Sequence, residues 1–242
     1  MTDTRYWAVI PAAGIGSRFG SGQPKQYVQL LGKTLLEHTL LRFCEHERIH
    51  GVVVPLAEND TWWPTLAIAR HPKIQTVAGG RERMHSVLNG LSQLQTQANA
   101  DDWVLVHDAA RPCIRMSDIS LLIEQLAAHP VGGILGWPVR DTMKRGDAAD
   151  EITATVDRSG LWHALTPQMF RLQDLQQALE KVNASNTLVT DEAQAMELQG
   201  LQPGLVAGAP DNIKVTLAAD LVLAELYLRA QQSETNAVNS VF

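Results

Sequence analysis

The chain is poor in cysteine and aromatics, and it has no long apolar run. Its 242 residues hold two cysteines, Cys44 and Cys113. Two are too few for a disulfide framework or a cysteine-rich zinc site. Cys44 falls in a helical apolar pattern and reads as core packing. Cys113 follows a chemically rich loop, but a small buried residue is the simpler reading. Nowhere do 18 apolar residues run together, and Met1–Arg5 has no apolar stretch of signal-peptide length. No membrane partner is expected, and the chain reads as soluble and cytoplasmic. Positive charge is short too: 20 Lys and Arg against 26 Asp and Glu leave a net charge of −6. That balance argues against non-specific nucleic-acid binding, so cations that hold anions must be placed locally. Also missing are internal repeats, low-complexity tracts and any convincing Ser/His/Asp or Cys/His constellation.

What is present is a 45% apolar chain of a length that suits one domain with a continuous core. Short β-branched runs alternate with helical patterns. Strands are predicted at Trp7–Ile10, Val52–Val54, Ile74–Ala78, Val104–His107 and Gly133–Val139. Helices are predicted near 34–46, 60–70, 83–95 and 117–128. This alternation predicts an α/β fold, a single Rossmann-like, mostly parallel sheet flanked by helices. Thr34-Leu-Leu-Glu37 is a capping box opening the first helix, and Ser117 is a candidate N-cap. The pattern lapses from about 138 to 160. There, two strands around a Gly/Asp-rich turn suggest a hairpin arm projecting from a domain of residues 1–232. Such an exposed edge wants a partner, which a symmetric dimer supplies; a solvated flap is the alternative. The polar tail, 233–242, is expected to be disordered.

Three strands end in rich loops, and ligands of open parallel sheets bind beyond the carboxyl ends of strands. The first loop is Pro11-Ala-Ala-Gly14-Ile-Gly16-Ser-Arg18, followed by Pro24-Lys25-Gln26. Ala12, Ala13, Gly14 and Gly16 leave backbone N–H groups open to a ligand, and Arg18 and Lys25 add two cations. That points to a nucleoside triphosphate. A dinucleotide fingerprint is opposed by Phe19 where the third glycine belongs and by an acid-free second strand ending at Val54-Pro55. The Walker pattern is also absent. The other two loops are Gly79-Gly80-Arg81-Glu-Arg83-Met-His-Ser86 and Asp108-Ala-Ala-Arg111-Pro112.

The string from Pro11 to Tyr27 resembles the signature of nucleotidyltransferases that couple a sugar or polyol phosphate to a nucleoside triphosphate. The later blocks narrow it. Gly79-Gly80-x-x-Arg83-x-x-Ser86-Val87, His107-Asp108-Ala-Ala-Arg111-Pro112, Pro138-Val-Arg-Asp-Thr142-Met-Lys144, Thr155-Val-Asp-Arg158, Ala164-Leu-Thr166-Pro167-Gln168, Thr190-Asp191-Glu192 and Asp211-Asn212-Ile-Lys214-Val-Thr216 follow in order. Together they resemble the 2-C-methyl-D-erythritol 4-phosphate cytidylyltransferase family, from Trp7 to about Tyr227. The resemblance implies a nucleotide-diphospho-sugar transferase-like fold and CTP as co-substrate. It also implies Mg²⁺ held mostly by CTP phosphates with Asp108 beside it, and a homodimer whose arm enters the neighbouring site. The acceptor would be a polyol phosphate of the non-mevalonate isoprenoid pathway.

The same resemblance distributes the roles. Arg18 and Lys25 stabilise the transition state, and Arg158 and Lys214 hold the incoming phosphate. Thr142 and Arg158 reach across from the arm. Ala12, Ala13, Gly80, Arg81 and the Ser86 hydroxyl read the base, with Arg83 bracing that loop. Asp108 lies near the ribose and metal. Ala109, Arg111, Thr166, Thr190 and Asp211 contact the acceptor side. Each has a structural alternative: surface cations for Arg18 and Lys25, an exposed hairpin charge for Arg158, a strand-edge cation for Lys214, a capping aspartate for Asp108. His85 and His107 read as packing or hydrogen-bonding residues, and Trp62-Trp63 as surface packing. A ribitol-phosphate cytidylyltransferase and a non-catalytic nucleotide sensor remain alternatives at this point.

Overall fold

The computed structural model describes residues 4–14 and 23–239. Among them, seven strands form one sheet in the order β11-β7-β10-β6-β1-β4-β5. These are β1 (Tyr6–Val9), β4 (Ile49–Leu56), β5 (Ile74–Ala78), β6 (Trp103–Val106), β7 (Gly132–Pro138), β10 (Trp162–Arg171) and β11 (Gly204–Ala207). Strand β10 runs antiparallel to both its neighbours, and the other pairings are parallel. The five predicted strands are β1, β4, β5, β6 and β7.

The two-residue alternation of the strands covers the sheet on both faces. Ala8, Ile10, Val52, Val54 and Leu105 face one apolar cluster with α1 (Leu35–Glu45) and α3 (Met116–Leu126). Trp7, Val9, Val53, Val104 and Val106 face the other, with α2 (Arg83–Leu94), α4 (Leu172–Ala184) and the short α5 (Glu192–Glu197). Each fully buried Leu or Ile contributes roughly 1.5–3 kcal/mol relative to exposure. Both cysteines are free and buried. Burial pushes each thiol up to about 12. A third cluster joins Val28, Leu30 and Cys113 to Ala224 and Leu228 of α6 (Asp220–Asn239). None of the described helices is long and apolar enough to cross a membrane.

The capping box at Thr34 forms: Glu37 N–H donates to Thr34 Oγ1 (3.1 Å), and Thr34 N–H donates to Glu37 Oε2 (2.8 Å). The small ribbon β2 (Gln29–Leu30) and β3 (Lys33–Thr34) leads into it. Two expectations need correction. Helix α3 starts two residues earlier than an N-cap at Ser117 allows, with Arg115 at the N-cap and no capping side chain, so Ser117 lies inside the first turn. The stretch 60–70 is not an α-helix but two 3-10 turns, Trp63–Thr65 and Ala67–Arg70. Extended backbone at Leu66 separates them, and the Asp60 carboxylate takes the Trp62 and Trp63 N–H groups. Of the expected tail, the residues up to Asn239 continue helix α6, and residues 240–242 lie outside the described residues.

The arm is a separate two-stranded ribbon, β8 (Met143–Gly146) paired with β9 (Ile152–Val156). Asp147 Oδ1 accepts from Ala149 and Glu151 N–H in its turn. Nearly all of its residues are exposed, Ile152 among them.

Candidate active site

Strand β4 lies on one side of β1 and β6 on the other, so the chain reverses its direction of winding between β1 and β6. A crevice opens at the carboxyl ends of strands at such a point. Three loops meet there. The first follows β1 and is pinned to β4, with Ala12 N–H donating to the Pro55 carbonyl (2.8 Å). The second follows β5, where Gly79 N–H donates to the Leu56 carbonyl (2.7 Å). A Cβ on Gly79 would overlap that of Ala13, and one on Gly80 would overlap that of His85. Glycine at 79 therefore lets the second loop lie against the first, and glycine at 80 lets that loop fold back onto the first turn of the Arg83–Leu94 helix. The third loop follows β6 and carries Asp108.

These loops enclose a cavity of about 430 Å³. Of the predicted residues, Ala12, Ala13, Gly14, Lys25, Gly80, Arg81, Arg83, Ser86, Asp108, Ala109 and Lys214 line it. Gly16 and Arg18 lie outside the described residues. The small side chains on the β1 side leave backbone at the cavity surface, as a phosphate cradle requires.

Asp108 is the electrostatic centre. Its Oδ1 takes Arg83 Nε at 3.0 Å; its Oδ2 takes Lys214 Nζ at 2.9 Å and Arg111 Nε at 3.4 Å. Burial alone would raise the Asp108 pKa, but the charges of Arg83, Lys214 and Arg111 reverse that and hold the carboxyl well below the usual carboxylate range. Arg83 also forks onto Glu192, with Nη1–Oε1 at 2.6 Å and Nη2–Oε2 at 3.1 Å. For Arg83 burial disfavours the charge, and Glu192 and Asp108 more than restore it, so its pKa is raised. Arg111 Nη1 donates to the Asn212 carbonyl at 2.8 Å, which locks it under Asp108. Three cations thus share two carboxylates, leaving a positive surplus at the wall where Lys214, 45% exposed in its side chain, faces the opening.

The antiparallel register pairs Gln168 with Val106. Continuing it carries Thr166 to Asp108, whose N–H donates to Thr166 Oγ1 (3.2 Å). Thr166 Oγ1 also lies 2.9 Å from His107 Nδ1, and His107 Nε2 lies 3.2 Å from the Arg111 carbonyl. A carbonyl only accepts, so Nε2 carries the proton and Nδ1 accepts from the threonine hydroxyl. Burial pushes His107 down to about 3 and keeps it neutral. Thr166 is therefore a buried support under Asp108, as Arg111 is, and neither lines the cavity.

Other predicted residues take different places. Ser86 Oγ accepts from Gly80 N–H (3.0 Å) and donates to the Glu82 carbonyl (3.3 Å), so its hydroxyl shapes the second loop. Asp211 is buried against Arg115 (2.7 Å) and Gln231 (3.0 Å), away from the cavity wall. Thr190 is exposed, and Gln194 Oε1 accepts from its N–H (2.7 Å). Thr142 and Arg158 sit on the arm, where Arg158 Nη1 donates to the Arg140 carbonyl. Within one chain neither lines the cavity. His85 bonds Asn183 and the Glu82 amide. Two residues escaped sequence reasoning. Gln26 lines the cavity and donates to the Ala12 carbonyl (2.5 Å), tying Lys25 to the first loop. Glu192 is 1% exposed, and only its place in the Thr190-Asp191-Glu192 block hinted at a role.

The family model for 2-C-methyl-D-erythritol 4-phosphate cytidylyltransferase matches residues 6–230. A protein of that name from Vibrio vulnificus strain YJ016 is 54% identical over 225 residues, covering 93% of this chain and 95% of its own. One from Pseudomonas syringae pv. tomato is 53% identical over 237 residues, covering 97% and 99%. A crystal structure of 4-diphosphocytidyl-2C-methyl-D-erythritol synthase aligns with a TM-score of 0.82 at 39% identity, over 94% of this chain and all of that one. The Francisella tularensis 2-C-methyl-D-erythritol 4-phosphate cytidylyltransferase aligns at 0.81 with 36% identity, over 93% and 100%.

Proposed function

The chain belongs to the 2-C-methyl-D-erythritol 4-phosphate cytidylyltransferase family, and on that premise we propose how its cavity joins CTP to the polyol phosphate. It is a cytidylyltransferase of isoprenoid precursor synthesis. The acceptor phosphate attacks the α-phosphate of CTP in line, giving 4-diphosphocytidyl-2-C-methyl-D-erythritol and pyrophosphate. A phosphate monoester is already anionic at neutral pH, so no general base has to create the nucleophile. The obstacle is bringing two anions together, and catalysis is positioning plus charge stabilisation.

The observation that carries this is the meeting of Lys25 and Lys214 at one cavity that Ala12, Ala13, Gly14 and Gly80 also line. Lys25, with Arg18, stabilises the charge that develops on the triphosphate. Lys214 turns from Asp108 toward the acceptor phosphate, its exposure leaving it room to do so. Gly80 and Arg81 offer backbone groups to the cytosine. The described residues contain no group of three metal-ligating side chains. That suits Mg²⁺ carried mainly by triphosphate oxygens, with Asp108 the carboxylate that would hold it. Bound there, Mg²⁺ would neutralise phosphate charge.

Thr142 and Arg158 enter the reaction only if a second copy brings them. The arm's exposed strands, β8 and β9, support a homodimer that exchanges arms and completes each site with the partner's copy of these residues. A cytoplasmic setting belongs to the same proposal, since CTP and a polyol phosphate are charged and do not cross membranes unaided.

A pyrophosphate-release assay pairing each nucleoside triphosphate with methylerythritol phosphate and with ribitol phosphate tests the assignment. CTP with methylerythritol phosphate is expected to turn over fastest. Lys25→Ala is expected to cut kcat far more than it raises the CTP KM, the mark of a group acting in the transition state. Comparable losses in both would make Lys25 a ground-state binder.

A further inference from the structure

Lys25 rides on a single 3-10 turn, Lys25–Tyr27, that has no capping side chain of its own. Two backbone bonds close it, Tyr27 N–H to Pro24 O (2.9 Å) and Val28 N–H to Lys25 O (3.1 Å). So short a turn takes its orientation from what its next side chains grip. Gln26 grips the first loop through Ala12. Tyr27 is buried, and its hydroxyl donates to Asp60 Oδ2 at 2.6 Å. Burial, reinforced by the hydrogen bond and charge of Asp60, lifts the Tyr27 phenol well above its ordinary range, so it remains a donor.

Asp60 is itself fixed. Its other oxygen accepts from Trp62 N–H (3.0 Å) and Trp63 N–H (2.9 Å). The Trp62 ring stacks on Tyr27, centroids 6.1 Å apart and planes inclined by 19°. Trp63 is buried in the same cluster as Tyr27 and Leu40. The segment after β4, which the sequence suggests is mere surface packing, therefore holds the turn that carries a cation into the cavity.

We propose that Asp60 is a positioning residue for nucleotidyl transfer, acting through the Tyr27 hydroxyl to set where Lys25 stands. This rests on the role given to Lys25 above. A displacement of about 1 Å at such a group costs on the order of a hundredfold in rate.

The experiment is a kinetic cycle. Single-turnover CMP transfer and the CTP KM are measured for Tyr27→Phe, Asp60→Ala and Asp60→Asn, each in the parent and in the Lys25→Ala protein. Tyr27→Phe and Asp60→Ala are expected to slow transfer by roughly ten- to a hundredfold with the CTP KM nearly unchanged. In Asp60→Asn the amide oxygen can stay on the Trp62 and Trp63 N–H groups while the NH2 donates to the Tyr27 oxygen, so most of the rate is expected to return. In the Lys25→Ala background Tyr27→Phe is expected to cost nothing further. Equal losses in both backgrounds, which general destabilisation would also produce, overturn the proposal, and so does a Tyr27→Phe protein at the parent rate. A fully active Lys25→Ala protein overturns the role of Lys25 itself, and the positioning role with it.

Discussion

Glu192 touches no part of the cavity, yet its charge is the one that lets Arg83 serve Asp108. In Glu192→Gln the shape is kept and one charge is removed. Breaking a buried pair by removing one partner costs about 3–5 kcal/mol. Here Glu192 is 1% exposed but the Arg83 side chain is 30% exposed, and the amide keeps one acceptor oxygen. Solvent screening and that residual bond reduce the cost to about 2–3 kcal/mol. At about 2–4 °C per kcal/mol for a domain of this size, the thermal midpoint should fall by about 4–12 °C. Circular dichroism melts at fixed pH and salt read the shift, and pyrophosphate release reads the activity. The transfer rate should also fall, because Arg83 no longer sits in a fork and Asp108 Oδ1 loses a fixed partner. A second variant separates the two effects. Arg83→Met with Glu192→Leu replaces the pair by apolar groups, which is often neutral for stability. Its midpoint should return only part of the way to the parent value, because Asp108 Oδ1 loses Arg83 Nε, while activity stays low. A Glu192→Gln protein that melts within about 1 °C of the parent and turns over at the parent rate would refute the reasoning.

Two other outcomes follow from the same geometry. If the arm crosses between protomers, Lys25→Ala and Arg158→Ala proteins, each nearly inactive, should regain activity when mixed as dimers; no recovery in verified mixed dimers counts against a shared site. His107 should make stability fall as pH drops. Its folded pKa is depressed to about 3 from 6.5, so between those values the unfolded chain binds a proton that the folded chain refuses. The effect vanishes above pH 6.5 and grows by about 1.4 kcal/mol per pH unit below it. His38 and His46 are lowered mainly by burial as well and add to the loss in the same direction below pH 6.5. Urea titrations between pH 6.5 and 4.5 should therefore show His107→Gln with a shallower slope, by about one proton, and not a flat one.

The strands nearest the site were legible because their apolar runs are short, β-branched and bounded by Gly, Pro or Asp. Strand β10 was not foreseen. It runs antiparallel within a mostly parallel sheet, and its Trp162–Arg171 sequence mixes polar and apolar residues because only its second half is buried. The 60–70 helix failed for a different reason. Its spacing fits a helix, but Asp60 spends its carboxylate on local N–H groups and on Tyr27, and that competition is invisible without the fold. The loops that meet at the cavity were legible, but not the pairings of their side chains. Asp108, Arg111 and Arg83 advertise themselves by their loops. That Thr166 and Arg111 lie beneath Asp108, and not in the cavity, depends on the β10 register. That Asp211 belongs with Arg115 depends on how α6 packs.

Those pairings bear on how a chain of net charge −6 assembles a site for anions. Arg83, Arg111 and Lys214 would repel one another if brought together alone, and two of them would have to leave water. Asp108 solves this by offering both oxygens to all three, and Glu192 takes the remaining side of Arg83. The neutral His107 and Thr166 then fix Asp108 through its backbone without adding charge. The arrangement holds the cations in place before any phosphate arrives, so little reorganisation is left for the reaction itself. It also distinguishes the cations by what they touch. Arg83 and Arg111 are locked by two partners each and keep the wall rigid. The half-exposed Lys214 has one carboxylate partner at the wall, so it is the member of the trio suited to follow a phosphate.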